Sequence, residues 1–187
     1  MKKMQDDPIR IQNIVAAGPV ADSIDLTHLL NAVPECRFDK KRFPGAVYYM
    51  QDPKAVALIF GSGKVVITGI ARQEDLVPAT KNLLAVLKTA NIACHDEPRV
   101  SVRNIVCTCS FGRECNLVRM VASLMDSDWV EYEPESFPGL VCRLTDPKVV
   151  FLLFSSGKAV ITGGTNLADI RKGLEIFREK LGRTGVL

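Results

Sequence analysis

No apolar run in this 187-residue chain is longer than six residues. Runs such as 55–60 and 149–154 fall far short of the roughly 20 residues a helix needs to cross a bilayer, so a helical membrane protein is excluded. Histidine is nearly absent, with two residues, and the six cysteines form no C-x-x-C pair. That spacing argues against a zinc framework and against a disulfide scaffold. Cys107, Cys109 and Cys115 come nearest to a metal set, yet they lack a convincing fourth ligand. We therefore expect no cofactor, and free, mostly buried thiols at Cys36, Cys94, Cys107, Cys109, Cys115 and Cys142 in a reducing compartment. The opening Met1-Lys2-Lys3-Met4-Gln5-Asp6-Asp7 has no apolar stretch behind its positive start, so the chain is expected to stay where it is made. A large charge excess is missing too: 24 basic against 21 acidic residues give +3 and a pI near 8.5. On charge alone that does not announce a nucleic-acid binder. What is present is 47% hydrophobic and 24% charged residues, enough for a proper core and too apolar for disorder.

The dominant feature is a duplication. Residues 43–69 recur 94 positions later as 137–163, and 17 of the 27 ungapped positions are identical. The shared set includes Phe43-Pro44-Gly45 with Phe137-Pro138-Gly139, and Asp52-Pro53-Lys54 with Asp146-Pro147-Lys148. Ser62-Gly63-Lys64 matches Ser156-Gly157-Lys158, and Ile67-Thr68-Gly69 matches Ile161-Thr162-Gly163. Two copies of about 90 residues are too few and too long for a solenoid. Each is large enough to be a small domain, so a fused pair with two-fold pseudosymmetry is expected, residues 1–95 forming the first repeat and 96–187 the second.

Within each copy the pattern reads β-α-β-β-β-β-α. Residues 9–17 and 100–108 are β-branched and carry the same Asn-Ile-Val core, so each copy opens with a strand. Asp22 or Asp25 can cap a short helix bearing Leu26, Leu29, Leu30 and Val33, and residues 116–124 are its equivalent. The second copy has three extra residues between this helix and its Phe-Pro-Gly, which marks a variable loop. Short strands separated by turn signals follow, with Gly61-Ser62-Gly63-Lys64 as a hairpin loop. A longer helix then closes each copy, carrying Leu76, Leu83, Leu84 and Leu87 in the first and Leu167, Ile170, Leu174, Phe177 and Leu181 in the second. Thr165 or Asn166 is the expected cap of the second; Pro78 fits the first only if that helix starts near Asp75. The fold class is α+β, a mostly antiparallel sheet with helices on one face.

A sheet covered on one face should alternate apolar and polar residues. Residues 55–60, Ala-Val-Ala-Leu-Ile-Phe, and 149–154, Val-Val-Phe-Leu-Leu-Phe, do not. With Ala57 and Ile59 toward the helices, Val56, Leu58 and Phe60 must face outward. The same alternation places Asn13, Val15, Val66 and Thr68 outward, mirrored by Asn104, Val106, Val160 and Thr162. A wide apolar face with a few symmetric polar groups near its middle marks a binding surface, or one buried in a homodimer or by a partner.

These residues resemble the TATA-box-binding protein family. The resemblance runs from about Ile9 to Leu181 through Gln12-Asn13-Ile14-Val15, Lys41-Arg42-Phe43, Leu58-Ile59-Phe60-Gly61-Ser62-Gly63-Lys64, Tyr132-Glu133-Pro134-Glu135 and Phe137-Pro138-Gly139-Leu140. It implies a pseudo-two-fold saddle of two tandem repeats, with helices on the convex face and a curved antiparallel sheet whose concave face enters the minor groove of A·T-rich promoter DNA and bends it. Matching residue by residue, the resemblance implies base contacts from Asn13, Asn104, Thr68 and Thr162, and groove-floor contact from Val15, Val66, Val106, Val160, Leu58 and Leu152. Four wedges are implied, Phe43 with Phe60 and Phe137 with Phe154, beside Pro44 and Pro138. Phosphate contacts are implied at Arg42, Lys54, Lys64, Arg143, Lys148 and Lys158, with Ser62 and Ser156.

The resemblance further implies that transcription factor B docks on Glu133 and Glu135 and that RNA polymerase is recruited through it. A weak homodimer is expected when DNA is absent. Two positions depart from the family pattern: Tyr49 stands where the family usually has arginine, and Ser136 where a larger apolar residue is common. Phe-Pro-Gly in both copies and the short amino-terminal segment are more archaeal than eukaryotic, which implies a cytoplasmic, nucleoid-associated protein. An enzyme built on Gly61-Ser62-Gly63-Lys64 as a phosphate loop fails on spacing, because Lys64 enters a strand instead of a helix. The competing function is a divergent paralogue that acts as a protein-interaction module with weak or altered DNA binding.

Overall fold

The computed structural model describes residues 9–124 and 129–182. The chain divides into two compact units, one spanning Asn13–Arg103 and the other beginning at Asn104 and taking in Gln12 and the strand residues before it.

In the first unit the order is β1 (Arg10–Pro19), α1 (Leu26–Ala32), β2 (Gly45–Gln51), β3 (Lys54–Phe60), β4 (Lys64–Ile70) and α2 (Leu76–Thr89). Its strands lie side by side as β2-β3-β4-β1, every described pair antiparallel. The second unit repeats this with β5 (Ser101–Ser110), α3 (Leu117–Ser123), β6 (Val130–Glu131), β7 (Leu140–Thr145), β8 (Lys148–Leu153), β9 (Lys158–Gly164) and α4 (Leu167–Gly182), in the order β5-β9-β8-β7-β6. The α+β class and the doubled layout stand as expected. One difference separates the copies: the strand expected after the first helix is β6 in the second unit, but in the first it shrinks to a single bridge between Arg37 and Val47. At two residues, β6 is itself barely a strand, and losing one pair leaves a bridge.

Local chemistry fixes the helix ends. Asp25, not Asp22, caps α1, its carboxylate accepting from the backbone N–H groups of Thr27 at 2.9 Å and His28 at 3.1 Å. Asn116 caps α3 through the Arg119 N–H at 3.0 Å, and Asn166 caps α4 through the Asp169 N–H at 2.8 Å. These side-chain oxygens satisfy donors that have no partner within the helix. A 3-10 turn at Gln73–Asp75 leads into α2, so Pro78 falls in the first helical turn, where its missing N–H breaks no helical bond. The Asp-Pro turns join β2 to β3 and β7 to β8, both with cis peptide bonds.

Helical spacing puts Ala79, Leu83 and Leu87 of α2 on one buried stripe, and Ile170, Leu174, Phe177 and Leu181 of α4 on another. They pack in the core with the inward residues of the strands: Ala55, Ala57, Ile59, Val65 and Ile67 in the first unit, Val149, Phe151, Leu153 and Ile161 in the second. Phe151 stacks on Phe177 with centroids 4.3 Å apart. Among the described residues no charged or polar side chain is buried. Five of the six cysteines are buried, Cys94 being the half-buried one. Burial pushes the Cys36 and Cys107 thiols up to about 11 and Cys142 to about 12, so they stay neutral at physiological pH and act as small apolar core groups.

Candidate nucleic-acid interface

The opposite parity of the same strands is uncovered. Along β3, Ala55, Ala57 and Ile59 are at most 3% exposed, whereas Val56, Leu58 and Phe60 between them are only half-buried. β8 alternates the same way, with Val150 and Leu152 half-buried between fully buried neighbours and Phe154 half-buried just beyond it. Antiparallel register turns this alternation into rows. Val47, Leu58, Val66 and Ala17 lie opposite one another across four strands, and Val141, Leu152, Val160 and Thr108 form the equivalent row. Asn13, Val15, Asn104 and Val106 are half-buried on the same parity. The outward placement read from the strand pattern is therefore present in both units.

The polar groups within this face are pre-set by the backbone. A register shift in β1 opposite β4 coincides with Gly69, at φ +81°, and the matching irregularity in β5 with Gly163, at φ +87°. Side chains other than glycine's rarely take this left-handed conformation, which is why a glycine follows the threonine in both copies. The Gly69 N–H donates to Asn13 Oδ1 at 2.8 Å, and the Gly163 N–H to Asn104 Oδ1 at 2.7 Å. A carbonyl oxygen must meet that N–H, so each amide has one orientation, with its NH2 beside the Thr68 or Thr162 hydroxyl at 3.1 Å. One N–H of each amide then remains available to an outside acceptor.

The aromatic pairs are equally symmetric. Phe43 and Phe60 meet edge to face with centroids 5.4 Å apart, and Phe137 and Phe154 at 5.8 Å, both inclined at 63°. All four rings are half-buried, unlike Phe151 and Phe177, which have no exposure. A backbone turn fixes the first ring of each pair: the Phe43 N–H bonds Asp39 O and the Phe137 N–H bonds Glu133 O, each at 2.9 Å. The glycine of each Phe-Pro-Gly supports the pair by lacking a side chain. A Cβ on Gly45 would meet Phe43 Cε1 at 2.8 Å and Phe60 Cδ1 at 3.2 Å; on Gly139 it would meet Phe137 Cε1 at 2.6 Å and Phe154 Cε1 at 3.1 Å.

Around this face Arg42, Lys54, Lys64, Arg143, Lys148, Lys158, Ser62, Ser156, Pro44 and Pro138 are all exposed. Arg42 pairs loosely with Asp39 and Arg143 with Glu131, each at 3.5 Å. Glu133 and Glu135 are exposed on a turn next to Ser136, also exposed. Each unit has an open groove beside its phenylalanine pair. One, of about 430 Å³, is lined by Phe60, Ser62, Lys64, Val66, Ala17 and Arg103. The other, of about 620 Å³, is lined by Phe154, Ser156, Lys158, Val160 and Thr108 with Arg10 and Gln12. The sequence reading missed Ala17, Thr108, Arg10 and Arg103 as site residues. Extending the alternation of Asn13 and Val15 by one more step would have found the first two.

A repeated antiparallel sheet with helices on one side, an open apolar face and paired surface aromatics defines a protein that binds through a sheet instead of a pocket. Comparison with known proteins gives this class a family. The family model for transcription factor TFIID, or TATA-binding protein, matches twice, at residues 8–90 and 99–184. The chain is 43% identical over 184 residues to the TATA-box-binding protein of Archaeoglobus fulgidus, covering 98% of this chain and all of that one. It is 44% identical to TATA-box-binding protein 2 of Haloferax volcanii, covering 97% of each. Among solved structures, Methanococcus jannaschii TBP superposes with a TM-score of 0.80 at 37% identity, over 94% of this chain and 98% of that one. The chain belongs to the TATA-box-binding protein family, a family of transcription factors and not of enzymes.

Proposed function

We propose that this protein is a general transcription initiation factor whose uncovered face occupies the minor groove of A·T-rich promoter DNA. The observation that carries the reading is the asparagine pair, each amide held by a glycine N–H on the uncovered, largely apolar face of its own unit. The minor groove presents A·T pairs as acceptors only, while G·C adds the guanine amino donor. Asn13 and Asn104 offer N–H donors to the acceptors, with Thr68 and Thr162 beside them. Val15, Val66, Val106, Val160, Leu58 and Leu152 form a wall with nothing to accept a guanine amino group, which would lose its water without gaining a partner.

The phenylalanine pairs act as wedges at opened base steps. Unstacking a step costs a few kcal/mol, and burying a phenylalanine returns about 1.5–3 kcal/mol, so two rings roughly offset one kink. Arg42, Lys54, Lys64, Arg143, Lys148 and Lys158, with Ser62 and Ser156, contact the phosphates. Glu133 and Glu135 present the bent complex to transcription factor B, and through it to RNA polymerase. The archaeal relatives support a cytoplasmic, nucleoid-associated setting.

The decisive measurement is a mobility-shift titration on an A·T-rich promoter duplex and its G·C-substituted counterpart, with and without transcription factor B. Preference for the first is expected; equal affinity for both overturns the reading. Replacing Phe137 and Phe154 by Ala should remove most of the bending seen by fluorescence energy transfer while leaving the circular dichroism spectrum unchanged. Undiminished bending would reject the wedge assignment.

A further inference from the structure

The two units differ at one corner of the uncovered face, and the repeat allows a residue-by-residue comparison. In the second unit Glu131 lies opposite Val141, and Arg143 reaches back to the Glu131 carboxylate, Nη2 to Oε2 at 3.5 Å. In the first unit Arg37 lies opposite Val47, and Tyr49 occupies the place of Arg143. Since Val47 and Val141 are repeat equivalents, Arg37 is the register equivalent of Glu131. The cation has moved from the strand to its neighbour, and the acid is gone.

The geometry gives this exchange a purpose. Tyr49 pairs with Val56 on the outward parity and is 50% exposed, so its ring belongs to the uncovered face. The Arg37 guanidinium carbon lies 5.5 Å from the ring centroid, inside the range of about 6 Å for attraction between a cation and an aromatic face. Stacking engages the plane of a guanidinium and leaves its edge N–H groups free for a bidentate acceptor such as a phosphate. Among the described residues Arg37 has no ion-pair partner, whereas Arg143 shares its charge with Glu131.

We propose that Arg37, oriented by the Tyr49 ring, is a phosphate-binding cation of the first unit and replaces there the arginine that stands at Arg143 in the second. This rests on the DNA-binding reading above and extends it to a residue outside the repeated motif.

The test is the dependence of affinity on salt, measured with an A·T-rich duplex for the wild type, Arg37→Ala, and the double variant Arg37→Ala with Tyr49→Arg. Loss of one phosphate contact flattens the slope of log K against log salt by about 0.9. Arg37→Ala is expected to show that flattening with its preference for A·T over G·C intact, and the double variant to regain the wild-type slope. Because Arg37 and Tyr49 are both exposed, thermal melting should not change. A wild-type slope in Arg37→Ala, or no recovery in the double variant, overturns the proposal. A wild type indifferent to A·T content fails the DNA-binding reading itself, a separate outcome read from the unmutated protein.

Discussion

At the scale of single residues, the asparagines show how a small polar group acquires direction. An isolated Asn on a surface can present either its oxygen or its nitrogen. Here the Gly163 N–H fixes Asn104 Oδ1, so the NH2 is what a ligand meets. Asn104→Asp separates that direction from the fold, since either carboxylate oxygen still accepts the Gly163 N–H while no donor remains for a base. Removing one partner of a hydrogen bond in a dry contact costs about 1–3 kcal/mol, and here a negative charge would also face the groove acceptors. We expect unchanged thermal stability and at least a tenfold loss of affinity for A·T-rich DNA, checked by melting and mobility shift on the same preparation. Retained affinity would remove Asn104 from the base-contacting set. The position was legible in the sequence because Asn-Ile-Val occurs twice; the fixed amide was not, because it depends on an N–H brought across from another strand.

At the scale of elements, the strands were the most legible part and their ends the least. Two-parity apolar runs implied that β3 and β8 have one face their own helices do not cover, and the alternating burial of both strands bears this out. The bridge at Arg37 was not legible, because one pair of hydrogen bonds leaves no periodicity to detect. Nor was the full role of Phe-Pro-Gly. As a sequence it reads as a turn, and only packing reveals that the glycine, which opens β2 in the first unit and directly precedes β7 in the second, lies beneath both phenylalanine rings. Gly139 gives the cleaner test, since the nearest atoms its Cβ would meet belong to rings and not to backbone. Gly139→Ala should displace Phe137 or Phe154, at a cost in stability of about 1–3 kcal/mol from overpacking, and reduce bending as measured by fluorescence energy transfer. Full bending in that variant would mean that the ring geometry seen here is not the one that opens the step.

For the whole molecule, the two kinds of contact proposed for DNA carry different thermodynamic signatures. Exposed lysines and arginines act by releasing counterions, so with about six phosphates neutralised log K should fall with log salt at a slope near −5. Burial of the valine, leucine and phenylalanine face acts through water and should appear as a negative heat-capacity change on binding. The free protein leaves this apolar face half-exposed while its core is fully closed, so the area removed from water should come chiefly from the face. Isothermal titration at several temperatures and salt concentrations is expected to give both a steep salt slope and a clearly negative heat-capacity change on A·T-rich DNA. On G·C-rich DNA the salt dependence should persist while the heat-capacity term shrinks, because the rim can still find phosphates when the face cannot enter the groove. A steep salt slope without a heat-capacity change on the A·T duplex would mean that the cations hold the backbone and the sheet stays out of the groove.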